Sequence, residues 1–189
     1  EEGQVTVDGV TRQLPNPFIV VATQNPVGSA GTQMLPESQL DRFMIRISMG
    51  YPTMEEEMRL IKERQEVNPI DYIKEIITKR DLLEMQKQVH AVFIDDKVLK
   101  YLSKIVDATR NHSMLSLGMS PRGTLAFVDM SKGHAFMEGR NYVLPEDVKA
   151  VAGAVIEHRL LLNGKARMSH ASAGDIVADI GGKIQTPKL

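Results

Sequence analysis

The sequence contains no cysteine, which excludes disulfide scaffolds, cysteine-ligated zinc and thiol catalysis. It has no large excess of charge: 23 Lys and Arg stand against 24 Asp and Glu, a net of −1. Nothing in that balance draws the chain to nucleic acid or anionic lipid. Aromatic residues are 5% of the chain, and no cluster of aromatic and basic residues suits base stacking. There is no secretory signal and no apolar run long enough to span a bilayer, so a cytoplasmic protein is expected. Internal repeats and low-complexity runs are absent. The chain opens Glu1-Glu2-Gly3 without an initiator methionine, as expected of a processed N-terminus or of a piece of something longer. What is present is ordinary for a soluble globular protein: 189 residues, 42% apolar and 25% charged. That length is enough for one good core, or for a small piece plus a separate bundle.

Punctuation and periodicity divide the chain near residue 52. Val5-Thr6-Val7 and Val10-Thr11-Arg12 flank Asp8-Gly9, a type I′ hairpin turn. Phe18-Ile19-Val20-Val21-Ala22 is a continuous apolar run between proline breaks, the pattern of a strand buried on both faces. After a loop from Pro26 to Leu35, Pro36 and Glu37 open a short helix that carries Leu40 and ends near Phe43. Ile45 and Ile47 alternate with Arg46 and Ser48, predicting a second strand that ends at Gly50-Tyr51-Pro52. Two strands and a hairpin do not close a doubly wound domain, so the sheet is expected to continue upstream of Glu1.

From residue 53 the pattern is helical. Met54, Met58 and Ile61 share one face of a helix, with Glu55 and Arg59 paired outside, and Asn68-Pro69 stops it. Thr78 and Asp81 form a capping box for a helix bearing Leu82, Met85 and Val89. Asp95 or Asp96 caps a helix with Val98, Leu102, Ile105 and Thr109 on one stripe. Ser120-Pro121 opens another, with Leu125 and Val128. Pro145-Glu146-Asp147 opens a fifth, with Val148, Val151, Val155 and Leu162. A last short helix lies between Ala171 and Lys183.

Three places carry chemistry. Ala22-Thr23-Gln24-Asn25-Pro26 falls at the carboxyl end of the first buried strand, the edge where ligands sit in open α/β sheets. The Asn25 amide there can hold a water or a phosphate oxygen, and the alternative is a plain Asn-Pro turn. Arg42, at the end of the short helix, can reach a neighbouring subunit's nucleotide, where such a guanidinium accelerates phosphoryl transfer roughly 10³–10⁵-fold. The alternative is a cation satisfying the helix dipole. Arg122 lies in the first turn of a helix, where the macrodipole disfavours a cation. A phosphate shared between that helix N-terminus and Arg122 relieves the misfit, and the alternative is an exposed arginine in water.

The order of these segments resembles the MoxR family of AAA+ ATPases. It runs from strand-Ala-Thr-Gln-Asn-Pro through Leu35-Pro36-Glu37-Ser38-Gln39-Leu40-Asp41-Arg42-Phe43, then Gly50-Tyr51-Pro52, then Gly118-Met119-Ser120-Pro121-Arg122, to His158-Arg159-Leu160. The resemblance covers essentially the whole chain and is most specific from Leu-Pro-Glu to Gly-Tyr-Pro. It implies an α/β remnant of an AAA+ P-loop core (residues 1–52: hairpin, sensor 1 strand, arginine-finger helix) followed by an all-α helical lid (residues 53–189). It implies that Asn25 is sensor 1 and positions the attacking water. Arg42 is then the arginine finger, acting in trans. Arg122 is then sensor 2 on the ATP phosphate, in its own subunit or a neighbour's. The hairpin matches a pre-sensor-1 insert, a candidate pore element, with a plain surface hairpin as the alternative. The implied parent hydrolyses ATP with Mg²⁺ in a ring, a hexamer by resemblance. It acts like a chaperone on partner proteins, among them proteins with von Willebrand factor A domains.

Two departures stand out. After Asn25-Pro26 the commoner family pattern has acidic residues and an aromatic, where this chain has Val27-Gly28-Ser29-Ala30 and Gln33. The chain also lacks a Gly-x-x-x-x-Gly-Lys-Ser/Thr loop to cradle phosphates and an apolar strand ending in Asp-Glu to hold Mg²⁺. It is therefore expected to be inactive alone and to bind ATP and Mg²⁺ poorly. The Gly28 to Gly31 loop lacks a lysine and reads as a connector. The five histidines (His90, His112, His134, His158, His170) show no ligand spacing, so no metal is expected, and His158 reads as a dipole or lid-packing residue. The methionines read as core, and Glu55-Glu56-Glu57 as a solvated face. Two other functions compete: a non-catalytic helical protein-interaction module, and a nucleic-acid-stimulated relative that the charge balance argues against.

Overall fold

Asp8 and Gly9 adopt φ of 51° and 76°, both left-handed, as a type I′ turn requires. The turn folds strand β1 (Gln4–Val7) onto β2 (Val10–Gln13), with Val7 opposite Val10 and Gln4 opposite Gln13. Thr6 and Thr11 hydroxyls meet across the pair at 2.9 Å. The structure, a computed structural model, describes residues 2–24, 35–66 and 68–188, and over these it is mixed α/β and rich in helix.

The strands expected at Phe18–Ala22 and Ile45–Ile47 are not formed: neither segment joins a ladder among the described residues. Phe18, Val21 and Ile47 are exposed, Val21 by 85%. A hairpin supplies its own partner through its turn, whereas a parallel strand depends on backbone from distant chain. The burial expected of both segments is not observed among the described residues.

The short helix forms as α1 (Glu37–Leu40), with its turn continued by Arg42 N–H to the Gln39 carbonyl and Phe43 N–H to the Leu40 carbonyl, both 3.1 Å. Helix α2 (Met54–Glu66) follows, then a 3-10 turn (Pro69–Tyr72). Its expected inward face is exposed at Met54, Met58 and Ile61. The pair observed on it is Arg59 with Glu63 at 3.7 Å, not Glu55 with Arg59. Helix α3 (Lys79–Ala91) starts with the expected capping box: Thr78 Oγ1 accepts from Asp81 N–H at 3.2 Å, and Asp81 accepts from Thr78 N–H at 3.0 Å.

The core lies between α4 (Asp96–Arg110), α5 (Pro121–Met137), α6 (Pro145–Ile156) and α8 (Ala173–Lys183). On α4 the expected stripe of Val98, Leu102, Ile105 and Thr109 is buried. Thr109 satisfies its hydroxyl by donating to the Val106 carbonyl (2.6 Å) and accepting from Met119 N–H (3.0 Å). On α6 Val148, Val151 and Val155 are buried. Helix α5 differs from expectation: Ala126 and Phe127 face the core, and Leu125 is exposed. Leu162 lies outside α6, in β4 (Leu161–Leu162), which pairs antiparallel with β3 (Leu115–Leu117). A short helix α7 (Gly164–Met168) separates β4 from α8.

One ionic cluster ties α5 to α6. Asp147 is fully buried and accepts from Arg140 on both oxygens (2.7 and 2.5 Å) and from Leu144 N–H (2.7 Å), with His134 Nδ1 at 2.7 Å. Burial alone would raise its pKa. Arg140, the Leu144 amide and His134 outweigh it and hold the carboxyl at about 2.

Candidate functional site

The turn that ends α1 is short of hydrogen-bond donors, because the last carbonyls of any helix have no partner within it. Here the lid supplies them. Arg159 lies in a 3-10 turn (Glu157–Arg159) closing α6, with its side chain 1% exposed. Its NH2 group donates to the carbonyls of Asp41 (3.2 Å) and Phe43 (2.5 Å). Its NH1 group donates to the carbonyls of Met44 (3.2 Å) and Val155, and Nε to the Asp41 carboxylate (3.2 Å). A guanidinium has five N–H donors, and these five bonds use them all. Burial is the largest influence on Arg159 and pulls its pKa below the ordinary value, with the Asp41 charge opposing.

His158 adds a bond to the same carbonyl: its Nε2 is 3.2 Å from Phe43 O. A carbonyl only accepts, so Nε2 carries the proton. Its other ring nitrogen, Nδ1, is buried with no hydrogen-bond partner among the described residues. Burial pushes the His158 pKa down, the Phe43 carbonyl opposes, and the Arg159 and Arg46 charges add to the lowering. One step along, Arg46 N–H donates to the Ala154 carbonyl at the end of α6 (2.9 Å). The stretch from Asp41 to Arg46 is thus fastened to the lid by backbone and side chain together.

Asp41 is the hub. Both its oxygens accept from the Ser120 hydroxyl at 2.9 Å. Ser120 is the N-cap of α5 and takes Gly123 N–H at 3.0 Å. Arg122 NH1 lies 3.6 Å from the same carboxylate. The misfit of a cation in the first turn of α5 is therefore relieved by the Asp41 carboxylate, which sits where a phosphate was expected. Arg122 is 46% exposed, so it is neither buried nor turned wholly into water.

Arg42 points elsewhere. Its NH2 is 3.2 Å from Glu2 Oε1, with both side chains about half exposed or more. Exposed pairs of this kind contribute about 0–1 kcal/mol. Asn25 lies outside the described residues, as do Val27 to Gln33. Beside the hub, a cavity of about 650 Å³ is lined by Glu37, Asp41, Arg110, Ser120, His158 and Arg159, among others. Among the described residues no group of three or more His, Asp or Glu is placed to hold a metal ion.

Sequence reading singled out Arg42 and Arg122 and missed what joins them. Neighbours in sequence do not face each other on a helix, as is true of Asp41 and Arg42. That same geometry turns Asp41 toward the lid. The signal available was the pair of adjacent charged residues in Asp41-Arg42 and again in His158-Arg159.

Residues 1–45 match the model for the "ATPase family associated with various cellular activities (AAA)", and residues 107–180 match the model for the "AAA lid domain". The chain is 40% identical over 187 residues to protein YeaC of Bacillus subtilis. It is 34% identical over 198 aligned positions to "Chaperone MoxR1" of Mycobacterium tuberculosis. The chain belongs to the MoxR family of AAA+ ATPases. A crystal structure of a protein assigned as an ATPase from Cytophaga hutchinsonii superposes with a TM-score of 0.90 at 36% identity, over 99% of this MoxR-family chain. The chain covers 58% of YeaC, 52% of MoxR1 and 59% of the Cytophaga chain. It therefore spans a little more than half the length of these relatives. No helix among the described residues is long and apolar enough to cross a membrane.

Proposed function

We propose that this chain is the sensor, arginine-finger and lid part of a MoxR-like AAA+ motor that couples ATP hydrolysis in a cytoplasmic ring to remodelling of partner proteins. Residues 1–52 complete the α/β core and residues 53–189 form the lid. Asn25 acts as sensor 1, Arg42 as the arginine finger toward a neighbouring subunit, and Arg122 as sensor 2. The observation that carries this reading is the Asp41 hub, where the residue before the finger accepts from the N-cap of α5 and from Arg159 and lies 3.6 Å from Arg122. Any tilt of α5 is passed to the turn that bears Arg42.

The residues present suit one side of a nucleotide site. Arg42 and Arg122 bring positive charge to phosphate oxygens, but the chain has neither a phosphate-cradling loop nor a Mg²⁺-holding carboxylate pair. ATP with Mg²⁺ supplies the phosphoryl group whose transfer drives the motor, and the intact parent must provide its cradle. The chain alone is accordingly inactive. A hexameric ring and clients with von Willebrand factor A domains belong to this reading through family resemblance, and the chaperone name of MoxR1 supports a protein client.

The test is to mix parent subunits carrying Arg42→Ala with subunits lacking the P-loop lysine. Each ring alone is expected to be inactive. Hydrolysis should return in mixed rings, where an intact finger meets an intact nucleotide site. No recovery at any mixing ratio would remove Arg42 from the interface role.

A further inference from the structure

We infer that Arg159 is the positioning residue for the arginine finger: a buried guanidinium on the lid that sets where Arg42 points by holding the backbone on both sides of it. The inference rests on the reading of Arg42 as a finger acting across a subunit interface.

The geometry is specific. Arg42 lies between Asp41 and Phe43, and Arg159 bonds to the carbonyls of both, as well as to Met44 beyond. A side chain that grips the carbonyls flanking a residue fixes the direction of the bond from that residue's backbone to its side chain. His158 reinforces one of these carbonyls, and Arg46 N–H pins the next stretch to Ala154.

Arg159 is also fitted against α5. A Cβ at Gly123 would stand 2.7 Å from Arg159 Cδ and 3.0 Å from its Nε. Glycine in the first turn of α5 leaves the room that the Arg159 stem occupies. The stem touches the helix that bears Arg122, while the head holds the segment that bears Arg42. Lysine does not replace this group. It has three donors on a single point and lacks the planar fork, so it cannot serve carbonyls at 41, 43, 44 and 155 together.

A positioning role differs from a merely structural one in where its loss is felt. A subunit with a mis-set finger keeps its own nucleotide site and fails only as a donor to its neighbour. In the intact parent, Arg159→Lys is expected to lower kcat roughly 100-fold, the scale for misplacing a catalytic group by about 1 Å. The KM for ATP should change less than threefold. Mixed with subunits lacking the P-loop lysine, the Arg159→Lys subunits should regain hydrolysis with the same mixing curve as Arg42→Ala.

Gly123→Ala is the second variant, because it keeps the guanidinium and favours α5 while displacing the Arg159 stem. It should show the same curve with a smaller loss. Thermal melts and ring assembly of each variant are measured alongside. If Arg42→Ala complements and neither Arg159→Lys nor Gly123→Ala does, the positioning role is overturned while the finger reading stands. If Arg42→Ala itself fails to complement, the finger reading falls and this inference falls with it. A loss of ATP affinity that accounts for the whole defect of Arg159→Lys also overturns it.

Discussion

At the scale of single residues, the two buried ionic groups of the lid do different work. Asp147 on α6 joins His134 on α5 with Arg140 and the Leu144 amide in the connection between them, remote in sequence from the finger segment. Its pKa is lowered from 3.8 to about 2 in the fold. A carboxyl with a depressed folded pKa contributes stability that is fully present above its unfolded value and is lost as pH falls through its folded value. Melting temperature should therefore decline between pH 4 and pH 2 more steeply in the native chain than in Asp147→Asn, which has no proton to take up there. At neutral pH the same substitution should cost about 3 kcal/mol, because it leaves Arg140 without the charge of its partner. Equal slopes for the two proteins in acid would show that Asp147 does not titrate as described. His158 responds to acid in the same direction: burial pushes its pKa below 6.5, so the stability linked to it is present above that value and is lost as pH falls below it, in milder acid than for Asp147.

At the scale of elements, local chemistry was legible wherever an element carries its own instructions. The type I′ turn at Asp8-Gly9, the capping box at Thr78 and Asp81, the Ser120-Pro121 helix start and the α4 stripe are all formed as the sequence implies. Each is decided within about four residues or by one face of one helix. Elements decided from far away were misjudged. Helix α5 is surrounded by partners, so its periodicity is blurred and Phe127 could not be told from Leu125 as the core residue. β3 and β4 pair across more than 40 residues, with a bulge at Ser116, and left no local signal. At the candidate site, motif order pointed to Arg42 and Arg122 as expectations, whereas the contact of Asp41 with Arg159 joins residues 118 apart in sequence and left no local signal. The β3–α5 connection offers its own test. A Cβ at Gly118 would meet Arg110 N and the Thr109 carbonyl group at 2.6 Å, and backbone does not yield as a side-chain tip does. Gly118→Ala should destabilise the chain by about 2–3 kcal/mol, read as a shift in the urea midpoint with an unchanged slope. A shift below about 0.5 kcal/mol would mean that the connection relaxes freely.

At the scale of the whole molecule, the apolar surface is unevenly distributed. From α4 to α8 the large side chains are mostly inside, with Tyr101, Phe127 and Leu102 nearly or fully buried. Before α3 they are mostly outside: Val21 is 85% exposed, Met49 89% and Tyr51 91%, and Ile70, Ile73 and Ile76 are exposed too. Apolar residues concentrated in this way mark contact surface, and the unpaired backbone at 18–22 and 45–47 adds hydrogen-bonding demand to it. The AAA+ family supplies the reason, since in its fold such segments are interior strands of a sheet. Residues 1–189 produced alone should accordingly self-associate through the front segments while the lid remains folded. Sedimentation should show oligomers that grow with concentration, and Val21→Lys with Ile47→Lys should shift the distribution toward monomer. The lid's melting transition should not change, because neither residue touches the α4–α8 core. A monomeric wild-type chain at high concentration would mean that the front segments find their burial within the chain. Oligomers insensitive to both lysines would place the contact surface on α2 and the 3-10 turn instead.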